Sequence, residues 1–353
     1  MRMLFAAAVL LWAMIPVCRA QEELEVPGMD ELWAAAEDCG VSPGEGLEEG
    51  LSSIFRDALE ELGQFVRRSA RTGVRLLAVV LLCGLSEGLS SGRSAAAVTK
   101  MAGALAVTAL SVSSMETMIG LGRETIGKMT AFSDLLLPVM AALTAATGHV
   151  TAAAARQGVT MMFTQLLVDG IDRLLIPLIY AYVAACCAYA ALGNEGLKKV
   201  SAMLKGTVTF ILTAELLAFV GYLTMSGAIS GSADAAAVKA VKQAITRAIP
   251  VVGGILSDAA ESVLVGAGVL KGTVGAAGLL AVLAICIGPF LQLALHYLTY
   301  KLAAALTGTV ADPRLSGLLD SIGGAFGLVL GMTGACAMLL LFSLVSAVTA
   351  VAA

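Results

Sequence analysis

Long apolar runs recur along this chain and decide what it can become. They fall near residues 74–90, 101–122, 131–155, 174–193, 206–229, 273–300 and 322–352. Each approaches the ~20 residues that a helix needs to cross a bilayer. The runs are continuous rather than alternating, which disfavours a closed β-barrel. They leave 58% of the 353 residues hydrophobic and only 14% charged, against roughly 25% charged in soluble domains. One soluble core cannot hide that surface. The 38 glycines and abundant alanine suit helices that approach closely in lipid. The expected fold is all-α, a polytopic helical membrane protein with six to eight crossings.

Before the first run, residues 1–20 pair Arg2 with an apolar stretch from Leu4 to Val17 and end at Ala20. That is the pattern of a secretory signal peptide. An uncleaved anchor is the rival reading, and both place residues 21–73 outside the cytoplasm. This segment holds ten acidic residues and no Lys or Arg between positions 21 and 55. Leu47, Leu51, Ile54, Phe55, Leu59, Leu62, Phe65 and Val66 recur at helical spacing, so an amphipathic helix is expected. It either lies on the membrane or the bundle, or docks a partner. The polytopic domain then runs from 74 to 353. RRSARTGVR (67–75) conflicts with the positive-inside rule if the leader sets the orientation; the leader is given precedence.

One stretch resists the plain reading. AIPVVGGILSDAAESVLVGAGVLKG (248–272) is apolar but carries Pro250, Gly253, Gly254, Asp258, Glu261 and Lys271. Proline and paired glycines free backbone groups that lipid cannot satisfy. Asp258 and Glu261 are three residues apart and share a helix face. A broken or re-entrant element at a wet or partner-lined site is expected. VTMMFTQLLVDG (159–170) is also short, and a re-entrant hairpin, a buried broken helix and a true crossing all remain open for it. Pro138 and Pro177 are 39 residues apart, as are Pro250 and Pro289, with an offset of 112 between the pairs. FSDLLLPVMAALTAATG (132–148) then lies over the interrupted stretch. Units of about 100–193 and 206–305 would make a repeat of the kind transporters use; coincidental proline placement is the alternative. Asp134, Pro138 and Glu215 join the candidate passage or interface residues, because ionisable groups in apolar segments face a bundle interior or water. For Glu215 and His296 a buried polar bond between helices is the favoured role.

Nothing in the sequence argues for catalysis. It contains no HExxH, G-x-S-x-G, CxxC or P-loop pattern, so neither a cofactor nor a metal is expected. Asp169 and Asp258 make a conceivable protease dyad, without a supporting motif. No basic patch with interleaved aromatics points to nucleic acid. Of the seven cysteines, Cys83, Cys186, Cys187, Cys286 and Cys336 lie in apolar runs and Cys18 in the leader; Cys39 is the one expected to face water.

AIPVVGGILSDAAESVLVGAGVLKGTVG (248–275), TYKLAAAL (299–306) and FSDLLLPVMAALTAATG (132–148) resemble the stage III sporulation protein AE family of endospore-forming Firmicutes. The resemblance covers nearly the whole chain, and residues 21–73 share only its character. It implies a mother-cell membrane protein around the forespore, within a secretion-like complex that contains a cytoplasmic ATPase, ring-forming subunits and a forespore-membrane partner. It implies no catalytic residue. The reading is a non-catalytic subunit that forms or lines a membrane passage. Its rivals are a stand-alone secondary transporter and a structural anchor for partner rings.

Overall fold

Charged residues do not end a helix, and that explains where the fold departs from the hydropathy pattern. The computed structural model describes residues 28–42, 47–89, 93–146, 150–225, 273–309 and 312–352. The helices are α1 (Met29–Asp38), α2 (Leu47–Leu89), α3 (Arg93–Ala146), α4 (Val150–Gly170), α5 (Ile176–Leu192), α6 (Glu195–Met225), α7 (Thr273–Thr307) and α8 (Pro313–Ala352). Among the described residues there are six candidate membrane spans: Glu48–Ser86, Ala97–Ala142, Gly158–Leu192, Glu195–Thr224, Val274–Thr307 and Pro313–Val345. The all-α polytopic expectation holds. The signal peptide and the interrupted stretch 248–272, with Pro250, Gly253, Gly254, Asp258, Glu261 and Lys271, lie outside the described residues.

Three differences from the hydropathy reading share one cause. The amphipathic segment and the 74–90 run are a single helix, α2, so no break in the chain marks position 73. The 101–122 run and the first half of 131–155 are likewise one helix of 54 residues, α3. Arg, Glu and Lys are good helix formers, and the intervening charges of α3 find partners. Lys128 pairs with Glu124 at 2.8 Å one turn away, and Arg123 reaches Asp172 at 2.9 Å. Thirdly, VTMMFTQLLVDG is no hairpin. It ends α4, which passes through a single π turn, Ile171–Leu175, into α5. Pro177 at the start of α5 has no N–H to return, and the Ile176 amide donates to Ile171 five residues back.

Contacts along the helices fix their directions. At one end Gly103 of α3 sits against Cys83 of α2 and Leu315 of α8. Lower down, Tyr300 of α7 donates to Ser111 of α3 at 3.1 Å, and Cys286 lies 3.1 Å from Met129. At the far end Gly278 of α7 meets Leu136 and Leu344. So α2, α4–α5 and α7 run one way and α3, α6 and α8 the other. The helix ends at 89, 93, 192, 195, 307 and 313 gather at one end, called here the hairpin end. The other end holds α1, the starts of α2 and α7 and the ends of α3, α6 and α8. Because α3 and α6 are codirectional, as are α4–α5 and α7, two such units would be parallel rather than inverted.

The core is built around α8. It packs on α3, α4, α5, α6 and α7, and 89% of its apolar window is buried, against 22% for α2. α1 is no separate unit: Leu32, Ala36 and Val41 join the same core. Cys39, expected to face water, is half-buried there, and burial foremost, then the nearby Asp38 carboxylate, pushes its thiol up despite Lys128. Hydroxyls inside the bundle are satisfied mainly within their own helices, as Thr125 and Thr333 are by Leu121 and Val329 carbonyls at 2.7 and 3.1 Å.

The hairpin end is pinned at Asp312. Its carboxylate accepts the Arg314 amide at 2.7 Å and the Lys100 ammonium at 2.6 Å, and Pro313 follows at the first helical position. This is an N-cap with a proline start. Burial works against the charge, but Lys100 and the amide outweigh it and hold the carboxyl below its ordinary range. Asp312→Ala is therefore expected to cost about 1–2 kcal/mol at neutral pH. A depressed acid contributes fully above its unfolded value and loses that contribution as pH falls through its folded value. The gap between wild type and variant should thus narrow on acidification below the ordinary aspartate range. Thermal unfolding in detergent across pH measures it; a gap that widens in acid would refute the assignment.

Candidate functional site

Midway down the bundle, polar groups from three helices converge. Arg68 and Thr72 come from α2, Ser113, Ser114 and Thr117 from α3, and Gln292 and His296 from α7. They line a cleft of about 130 Å³, with Phe65 and Met118 as its apolar walls. Helical spacing puts each set on one face: positions 68 and 72, 113 and 117, and 292 and 296 are each one turn apart.

His296 anchors the cleft. It is 7% exposed, with Phe326 of α8 edge-on at 5.9 Å. Its Nδ1 lies 3.0 Å from the Gln292 carbonyl and 3.4 Å from Ser69 Oγ of α2. A carbonyl only accepts, so the proton is assigned to Nδ1. This is a buried polar bond between helices, as expected for His296. Glu215 differs. It is half-buried on α6, and its Oε1 is shielded from solvent with no hydrogen-bond partner among the described residues. As a carboxylate, that oxygen would carry an uncompensated desolvation cost.

The remaining described site residues are not gathered here. Asp134 and Pro138 stand one turn apart on the exposed side of α3. Glu215 belongs to α6, which packs on α5, α8 and α4. Sequence reasoning singled out His296 but missed the residues around it. SVSSMET (111–117) was the available signal, four hydroxyls within one apolar run. Sequence reasoning weighed Arg68 only as part of the RRSARTGVR charge cluster, whereas it stands at the middle of α2 and lines the cleft.

The apolar face expected on the amphipathic helix is split. Ile54 and Ala58 are buried and Phe65 is half-buried in the cleft wall, while Phe55, Leu59 and Val66 are exposed. Phe65→Asp should therefore loosen the bundle by a few kcal/mol. Leu59→Asp should leave the bundle's unfolding midpoint unchanged and alter only membrane or partner association. Equal destabilisation by the two, measured in detergent, would contradict this packing.

Six long apolar helices among the described residues, one of them buried at the centre, define an integral membrane protein of the polytopic helical class. The family model for stage III sporulation protein AE matches residues 42–352, and the chain belongs to that family, a family of sporulation proteins. It is 24% identical over 288 residues to the stage III sporulation protein AE of Bacillus subtilis (strain 168), an alignment covering 81% of this chain and 70% of that one. No solved structure matches.

Proposed function

We propose that this protein is a non-catalytic membrane subunit of a channel or secretion-like complex that serves endospore development. Its partners are a cytoplasmic ATPase, ring-forming subunits and a forespore-membrane protein, and it forms or lines the membrane passage. The observation that carries this reading is membership of a sporulation family by a chain whose bulk is a polytopic bundle. Residues 1–20 act as the leader, 21–73 begin outside the cytoplasm and 74–353 provide the membrane body, in the mother-cell membrane around the forespore.

The charge of the two ends favours this orientation. Among the described residues the hairpin end gathers Lys100, Lys198, Lys199 and Arg314. The other end carries Asp30, Glu31, Glu37, Asp38, Glu48 and Glu49. Those basic residues count for the leader's orientation, while RRSARTGVR, which flanks the apolar part of α2, counts against it.

The passage role is assigned to Pro250, Gly253, Gly254, Asp258, Glu261 and Lys271, with Asp134, Pro138 and Glu215. Asp258→Ala with Glu261→Ala is expected to leave membrane insertion intact while spore formation falls and partner co-purification weakens. Cysteines at 258 and 261 should react with water-soluble thiol reagents faster than those at 256 and 263. Wild-type sporulation by the double variant, with equal protection at all four positions, would remove the passage role. Substrate flux through the purified chain alone in liposomes would favour the stand-alone transporter.

A further inference from the structure

We propose that the cleft between α2, α3 and α7 binds one small oxyanion, a phosphate or a carboxylate, through Arg68. Arg68 supplies the formal charge of the lining, and no carboxylate is among the residues that form it. Some cations of the bundle are matched, as Lys100 is by Asp312 at 2.6 Å, Arg123 by Asp172 at 2.9 Å and Lys301 by Asp320 at 2.6 Å. Arg68 pairs with no carboxylate among the described residues. It also stands at the midpoint of Leu47–Leu89, about 30 Å from either helix end.

The donors suit an anion. Thr72 and Thr117 spend their protons on the Arg68 and Ser113 carbonyls at 3.3 and 2.8 Å. The Arg68 guanidinium, the Gln292 amide and the Ser113 hydroxyl are left to donate into the cleft. Guanidinium matches phosphate and carboxylate by paired parallel hydrogen bonds. About 130 Å³ is the space of about four water molecules. That admits one trigonal or tetrahedral oxyanion. Ser113 and Thr117 lie on the exposed side of α3, so the cleft opens laterally. Its occupant can be a free anion or the phosphate of a lipid headgroup.

The full-length protein in detergent, carrying Thr117→Cys, tests this with two thiol reagents of equal size and opposite charge, a sulfonatoethyl and a trimethylammonioethyl methanethiosulfonate. Labelling is read peptide by peptide by mass spectrometry, so the native cysteines serve as internal controls. The anionic reagent should react about three- to tenfold faster at position 117. Arg68→Lys should keep that preference and Arg68→Gln abolish it. Inorganic phosphate, against chloride of equal ionic strength, should slow labelling if the occupant is a free ion; added phosphatidylglycerol should slow it if the occupant is a headgroup. Protection by neither, no preference in the wild-type background, or a preference that survives Arg68→Gln would overturn the proposal.

Discussion

Phe326→Ala is expected to destabilise the bundle by about 3–5 kcal/mol, among the largest losses available to a single side chain. Phe326 is 1% exposed on α8 and meets the rings of Tyr300 at 5.0 Å and His296 at 5.9 Å, both edge-on. In lipid the usual hydrophobic transfer gain between helices is small, since acyl chains are as apolar as a core. The loss therefore comes from the cavity and the two ring contacts, which places it toward the lower end of that range. The same cavity frees the His296 ring, so the cleft should lose its shape together with the bundle's stability. Unfolding midpoints in detergent, with Leu59→Asp as a surface control, measure the effect. A change below about 1 kcal/mol would mean that α7 and α8 do not meet as described.

Gly122→Leu should also be strongly damaging, for the opposite reason. A Cβ built at Gly122 would stand 2.6 Å from Val329 Cγ1 and 3.5 Å from Thr333 Oγ1 of α8. Val329 is β-branched with few rotamers to retreat into, and α8 is enclosed by five other helices, so the backbones must part. Overpacking typically costs 1–3 kcal/mol, occasionally more, and leucine adds three further carbons beyond the first clash. Gly120, two residues earlier, has open space at its Cβ position. Gly120→Ala should be tolerated, and the contrast between the two positions isolates the contact from helix propensity. Limited proteolysis of the membrane-inserted protein reads both.

What was legible in the sequence was what depends on composition. The apolar runs named the helices and the class, because bilayer thickness fixes the length such a run must have. Helix boundaries were not legible, because hydropathy marks where a helix meets lipid and not where it ends. Arg67 to Arg75 and Arg123 to Lys128 interrupt the apolar pattern while continuing α2 and α3. The π turn at Ile171–Leu175 was hidden for a related reason: Pro177 was visible, but its compensation lies in a backbone bond that no side chain announces. His296 was found as an isolated polar residue. Its neighbours were not, since Ser69, Arg68 and Gln292 belong together only once α2 lies beside α7. The glycines were read correctly as a group that permits close approach, yet only the fold separates Gly122, which cannot carry a side chain, from Gly120, which can.

The length of α3 makes the molecule a ruler. Its 54 residues extend about 81 Å at 1.5 Å per residue, and the bilayer with its headgroups is only about 40–45 Å thick. Even at a tilt of about 40°, the upper end of what membrane helices show, the rod still rises about 62 Å along the membrane normal. α2, packed alongside it with 43 residues, is about 65 Å long by the same measure. The protein is taller than the membrane that holds it, and the surplus height is stiff helix rather than loop. Whatever grips the protruding end is therefore held at a set distance from the lipid, and a push on one end is delivered at the other.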